Sequence, residues 1–254
     1  MAFAQALFEE HLPRWQHHFS PEARLRLGGV PLSALAGCTP GVAGQYLSPE
    51  ELAQWAGLNL EKRRAEWLGG RLAAKWAAAR LLGETALALP RLIIRTEAEG
   101  RPFVAAEGHA IAPFLSISHS GPLAAALSAN IPCGLDLQQP GAKIHTVRKR
   151  FAAPEEEAIL NASLPGAFTE TQRLTLLWTA KEAVRKMVRL SPLLGLLEMR
   201  LLAGHGGEGT PADPLALTLA SGRAQAASLP NIPVLCFFAD NLAWAMACPS
   251  AKKE

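Results

Sequence analysis

Three segments of the 254-residue chain hold side chains whose types and spacing can do chemistry. In Gly134-Leu135-Asp136-Leu137-Gln138, a two-residue period sets Asp136 and Gln138 on the face opposite Leu135 and Leu137. In Trp178-Thr179-Ala180-Lys181-Glu182-Ala183-Val184-Arg185-Lys186, Glu182 and Lys186 are four apart on one helical face. Leu174, Leu177, Trp178 and Val184 can anchor the other side of that helix. In Ser116-Ile117-Ser118-His119-Ser120-Gly121, a strand runs into a polar turn able to present backbone N–H groups to an anion. Taken singly, each has a plainer structural reading. A Glu/Lys pair at this spacing is usually a surface ion pair worth roughly 0.2–0.5 kcal/mol. Asp136 can face water, and His119 can be an ordinary turn histidine. Taken together they fit one chemistry. Magnesium is a hard ion that takes one or two protein carboxylates and fills its octahedron with water and substrate phosphate oxygens. Asp136 and Glu182 can supply that pair, Lys186 can neutralise a leaving phosphate, and arginines upstream can hold further phosphates. On residue chemistry alone this is a magnesium–diphosphate site.

Elements legible in the pattern must position these groups. Ser48-Pro49-Glu50-Glu51 is a capped helix start, and that helix stops near Gly57. A longer helix is expected from about Leu60 to Leu82, ending at Gly83, with Lys62, Arg63, Arg64, Arg71 and Lys75 on or beside its polar side. Gly69-Gly70 in its middle cost about 1 kcal/mol each against alanine, so they mark either a close contact or a break. From Arg91 the period becomes two, and RLIIRT, FLSISHS, AAALSA and CGLDLQ read as short strands. Helices return at about 154–161 and 170–189, the second opening on a Thr169/Gln172 capping box. LALTLA, VLCFFAD and NLAWAMA read as closing strands, while residues 1–46 read as irregular loop. The fold class is α+β. The expected organisation is two similar α+β halves, 1–130 and 131–254, related by pseudo-twofold symmetry with the site at their interface. The likeness of FLSISHSGPLAAALSA to VLCFFADNLAWAMACP hints at duplication.

Composition narrows the class. Hydrophobic residues are 49% and charged residues 19%, the balance of a packed domain with ample core. A net charge of +3 carries no general polyanion-binding signature, so no nucleic-acid partner is expected. Cys38, Cys133, Cys236 and Cys248 are scattered, without a CxxC pair, and read as buried thiols. Glu9 and Glu10 come too soon for a signal peptide, and no apolar run reaches the roughly 20 residues of a membrane helix. A cytoplasmic protein without a membrane partner is expected.

The ordered series GRP (100–102), SISHS (116–120), GLDLQ (134–138), FAAPE (151–155) and WTAKEAVRK (178–186) resembles the motif set of 4'-phosphopantetheinyl transferases of the surfactin/enterobactin type. KRRAEWLGGR (62–71) is similar to the stretch preceding those motifs in the enterobactin branch, and the resemblance covers about residues 60–190. It implies magnesium-dependent transfer of the phosphopantetheine group of coenzyme A to a serine of an apo acyl or peptidyl carrier protein, a holo-[acyl-carrier-protein] synthase activity. Asp136 and Glu182 would ligate Mg²⁺, with Gln138 in the position where the family's pattern carries a third acid. Lys186 and Lys181 would contact phosphate or the pantetheine side of the breaking bond. Ser118 and His119 would hold phosphates, Arg101-Pro102 would lie against the adenine, and Arg71 and Arg63 would hold the nucleotide end with its 3'-phosphate. Glu155 or Glu182 would activate the attacking hydroxyl, which belongs to the carrier. An amide at 138 removes one negative charge, so more of the metal affinity would come from the coenzyme's phosphates.

Three rivals stand beside this reading. A Ser/His hydrolase built on Ser118 or Ser120 has poor triad geometry and no GxSxG elbow. A non-catalytic relative that binds coenzyme A or carrier protein rests on Gln138 alone. Finally, the ions can merely decorate an α+β domain. The carrier is expected as a transient partner of a monomeric enzyme, docking on Arg148, Lys149 and Arg150 and on the apolar stretch Leu190–Leu194, whose leucines also suit a core.

Overall fold

A computed structural model describes residues 10–105, 112–164, 166, 168–188, 190, 192–222 and 231–250. The chain forms two compact units, Met1–Leu12 with Ala23–Ile131 and Pro13–Glu22 with Pro132–Glu254.

In the first unit β1 (Leu25–Pro31) precedes a short helix α1 (Pro49–Ala56) and a long helix α2 (Glu61–Leu82). Then come β2 (Ile93–Thr96), β3 (Pro102–Ala105), β4 (Phe114–Ser120) and β5 (Leu123–Ala129). The strands make an antiparallel sheet in the order β1-β5-β4 and a separate β2–β3 ribbon. The capping box is formed: Glu51 N–H donates to Ser48 Oγ and Ser48 N–H to Glu51 Oε2. Helix α2 runs unbroken through Gly69-Gly70, and the lack of room for a side chain there explains why glycine is used. A Cβ on Gly69 would meet Leu32 at 2.7 Å and Ala124 at 3.0 Å, and one on Gly70 would meet Ile117 at 3.1 Å. With Ala73, Ala74, Ala77 and Ala78 fully buried, the helix lies close on the sheet. It ends at Gly83, whose φ of 76° suits a residue without Cβ.

β1 corrects the reading of residues 1–46 as loop. Gly28, Gly29 and Pro31 hide its two-residue period, yet it pairs with β5 along its whole length. A Cβ on Gly28 would overlap the Ala73 carbonyl, so one of the glycines that disguised the strand is a packing requirement.

The second unit repeats the order of elements: β6 (Gly134–Gln138), short α3 (Pro154–Ser163), long α4 (Glu170–Val188), then β7 (Met199–His205), β8 (Leu215–Ser221), β9 (Ile232–Ala239) and β10 (Leu242–Ala247). Its antiparallel sheet runs β6-β10-β9-β8-β7. Helix α4 packs over β6, β10 and β9, burying Leu176, Leu177, Ala180, Ala183 and Val184. Thr169 and Gln172 form the second capping box. Asp240 and Asn241, at φ 52° and 56°, turn β9 into β10 as the left-handed pair of a two-residue hairpin. Trp15 joins this unit, its ring 4.9 Å from that of Phe237. β7 was not legible in the sequence, and its register shifts between Leu201 and Ala203.

All four cysteines are free; Cys133, Cys236 and Cys248 are buried, and Cys38 is partly exposed. Among the described residues, no helix is long and apolar enough to cross a membrane.

Candidate functional site

The site starts from a glycine. Gly134 opens β6 where α4 crosses it, and a Cβ there would overlap the Ala183 carbonyl and come within 3.0 Å of Met187 N. Without that side chain, strand and helix approach closely enough for Asp136 to meet Lys186. Lys186 Nζ donates to Asp136 Oδ1 at 2.8 Å and to the Leu135 carbonyl at 3.0 Å. Glu182, one turn earlier on α4, pairs with Arg185 at 2.7 Å. The carboxylates are about nine-tenths buried, with side-chain exposures of 10% for Asp136 and 11% for Glu182. Burial pushes the Glu182 carboxyl above the usual range; Arg185 opposes this, the negative charge of Asp136 adds to it, and Lys186 opposes it. Strand and helix thus bring Asp136, Glu182 and Lys186 together, two partly desolvated carboxylates that repel each other. Such a pair suits a hard divalent cation, which needs only one or two protein carboxylates. Among the described residues no cluster of three or more His, Cys, Asp or Glu is found, so a metal here would draw its other ligands from water and substrate. Gln138 lies two residues along the strand on the same face as Asp136, half-exposed at its end.

Lys181 corrects its expected role. The side chain is fully buried, donating to the Phe151 carbonyl at 2.6 Å and lying 2.7 Å from Glu156 Oε1 and 2.8 Å from Oε2. Glu156 also accepts Ala153 N–H at 3.0 Å and Leu201 N–H at 2.7 Å. The ammonium is consumed inside the fold and is not open to phosphate. Losing one partner of such a pair costs about 3–5 kcal/mol. Phe151 is buried too and meets Trp178 edge-on at 5.2 Å, so the first residues of the FAAPE and WTAKE segments are packing groups. Glu155 stands exposed at the start of α3.

In the first unit, His119 faces Glu66 of α2, Nδ1 to Oε1 at 3.9 Å, while Ser118 is buried on the opposite side of β4. Arg71 is half-buried with its guanidinium 4.7 Å over the Trp67 ring, and its Nε is buried without a hydrogen-bond partner. Arg63 is exposed. Arg101 and Pro102 are half-buried at the turn into β3, where Glu97 N–H donates to the Arg101 carbonyl. A cavity of about 280 Å³ in this unit, bordered by Cys38, Trp55, Arg64 and Leu68, is lined by none of the predicted site residues.

Glu156 and Arg185 were missed as partners. The signal for Glu156 was present: Ser48-Pro-Glu-Glu51 and Ala153-Pro-Glu-Glu156 are the same start, each followed by a helix with a buried lysine, Lys75 or Lys181.

Residues 132–227 match the family described as the 4'-phosphopantetheinyl transferase superfamily. That segment holds Asp136, Gln138, Glu155, Lys181, Glu182 and Lys186; the predicted residues of the first unit lie outside it. Among solved structures the chain is similar to the holo-(acyl-carrier-protein) synthase of Bacillus anthracis str. Ames in complex with CoA (3',5'-ADP), at 24% identity and TM-score 0.38, over 41% of this chain and 92% of that one. It is similar also to the synthase of Neisseria meningitidis, at 22% and 0.37 over 41% and 94%, and to that of Thermotoga maritima, at 21% and 0.32 over 50% and 74%. No curated protein matches the chain.

Proposed function

We propose that the protein is a magnesium-dependent 4'-phosphopantetheinyl transferase of the surfactin/enterobactin type, moving the phosphopantetheine arm of coenzyme A to a serine of an apo carrier protein. The observation that carries it is the buried carboxylate pair, Asp136 held by the Lys186 ammonium and Glu182 held by Arg185 yet near enough to Asp136 for the two to repel, within the segment that matches the transferase superfamily.

Asp136 and Glu182 would hold Mg²⁺, with Gln138 offering an amide oxygen to the ion or to its water. When bound, the ion supplies charge neutralisation on the coenzyme diphosphate. Lys186 stands ready to neutralise the phosphate that leaves with adenosine 3',5'-bisphosphate. Arg71, its half-buried guanidinium stacked over Trp67, and Arg63 are assigned to the nucleotide end with its 3'-phosphate, Ser118 and His119 to phosphate groups, and Arg101-Pro102 to the adenine. The carrier serine oxygen forms a bond to the phosphorus on the pantetheine side as the diphosphate P–O bond breaks. Its proton passes to Glu155 or Glu182, directly or through water. Positioning and charge neutralisation are the main contributions the protein makes to such a transfer.

The proposal takes the enzyme as monomeric and cytoplasmic, with the carrier as a transient partner. Arg148 is already held by Glu157 and Glu170, which leaves Lys149 and Arg150 as the exposed basic groups for docking. Leu193 and Leu197 are exposed apolar groups in the same unit, whereas Leu194 is core and Ser191 lies outside the described residues. The repeated element order and the two matching helix starts support two related halves.

Incubation with coenzyme A, Mg²⁺ and a panel of apo carriers, read by intact mass, tests the proposal. The expected product is a carrier heavier by one phosphopantetheine, lost with Asp136→Ala and with Glu182→Ala in protein that stays folded. Transfer at the wild-type rate by either variant would sink it.

A further inference from the structure

Resting on that reading, we propose that the Glu156–Lys181 pair is a positioning device that sets the rotation of α4 and so aims Glu182 at the cation. All the donor capacity of the Lys181 ammonium is spent inside the fold, on the Phe151 carbonyl and on both oxygens of Glu156. Glu156 is fixed in turn by the backbone N–H groups of Ala153, at the start of α3, and Leu201, in β7. One residue of α4 is therefore tied to two separate stretches of chain, residues 151–156 and β7, through directional bonds, and Glu182 is the next residue. A side-chain group about 6 Å from a helix axis moves roughly 1 Å when the helix turns by about 10°. Magnesium demands near-ideal octahedral geometry, so an error of that size at a ligand matters. Burial of apolar residues of similar volume serves a fold as well as a buried ion pair does. What the ion pair adds is direction.

The first unit contains a matched comparator. Lys75 is equally buried, donating to the Leu89 carbonyl at 2.9 Å and to Glu51 at 2.6 Å. Glu51 accepts Ser48 N–H and Ile94 N–H, each at 3.0 Å, in the pattern of Glu156. The residue after Lys75 is Trp76, which cannot ligate a cation. The same device therefore aims a carboxylate in one unit and none in the other.

The test compares Glu156→Gln/Lys181→Met with Glu51→Gln/Lys75→Met in the full chain. Binding of Mn²⁺ in the presence of coenzyme A is followed by the EPR signal of the free ion, with thermal melts on every sample. The expected result is Mn²⁺ binding weakened at least tenfold by the 156/181 change and altered less than twofold by the 51/75 change, with comparable losses of melting temperature. Equal effects of the two changes, or none from 156/181, overturn the proposal. Should the double variant fail to fold, Glu156→Gln alone, which keeps the shape of the side chain, is held to the same tenfold criterion. Wild-type protein that binds no Mn²⁺ with coenzyme A present would instead refute the metal-site reading and this proposal with it; wild-type binding with an unaffected variant refutes this proposal only.

Discussion

Gly134→Ala is the smallest change that tests how sequence builds the site. The added methyl would overlap the Ala183 carbonyl and sit 2.8 Å from its carbon and 3.0 Å from Met187 N. All are backbone atoms, which cannot swing aside as a side chain can. Strand β6 and helix α4 must separate by something on the order of 1 Å, and overpacking of this kind costs about 1–3 kcal/mol. At about 2–4 °C per kcal/mol for a chain of this size, the melting temperature should fall by roughly 2–12 °C. The same separation draws Asp136 away from Lys186 and Glu182. A misplacement of about 1 Å can cost on the order of 100-fold in rate. The assay is carrier modification by intact mass at varied Mg²⁺, alongside thermal melts. The expected outcome is a modest loss of stability, a large loss of kcat/KM and a raised Mg²⁺ requirement. A lowered melting temperature with wild-type transfer and metal dependence would show that the close approach serves the fold and not the site.

Other outcomes follow from the same geometry. The raised pKa of Glu182 has two consequences of opposite sign: cation affinity, which needs the ionised carboxyl, should weaken as pH falls through the raised value, whereas metal-free stability should be greatest below the unfolded glutamate value of about 4.3 and decline as pH rises through the folded one. Glu182→Gln should flatten that decline in melts taken from acid to neutral pH, and an unchanged pH slope would contradict it. Arg71→Ala should weaken coenzyme A binding by about 10- to 150-fold in calorimetry, the equivalent of a charge-assisted hydrogen bond of roughly 1.5–3 kcal/mol; unchanged affinity would remove Arg71 from the site. Gln138→Glu should lower the half-saturating Mg²⁺ concentration about tenfold by adding a hard anionic ligand, and an unchanged requirement would argue that position 138 faces away from the ion.

Much of this was legible because the relevant patterns are local. The Ser48 and Thr169 caps, the Gly83 stop and the Asp240-Asn241 turn each follow from a few neighbouring residues. Spacing alone placed Glu182 and Lys186 on one helical face and Asp136 opposite two leucines. What escaped was decided by partners distant in the chain. β1 was hidden because Gly28 answers to Ala73 on a helix 45 residues later, not to its own neighbours. Lys181 was assigned to phosphate because its sequence context does not show that Glu156 and the Phe151 carbonyl enclose it. A lysine beside a catalytic-looking glutamate reads the same whether it faces solvent or core; only the fold distinguishes the two.

The distribution of thiols has a practical consequence. Burial pushes the thiols of Cys236 and Cys248 up, out of the range where thiolate forms at neutral pH, and Cys133 is buried as well. Cys38 alone is partly exposed, bordering a cavity of the first unit beside Trp55; burial raises its thiol too, opposed by the Arg64 guanidinium and the Ala43 backbone. The native chain therefore carries a built-in attachment point: a maleimide dye can be installed once, without removing any cysteine, next to an indole able to act as its energy-transfer donor.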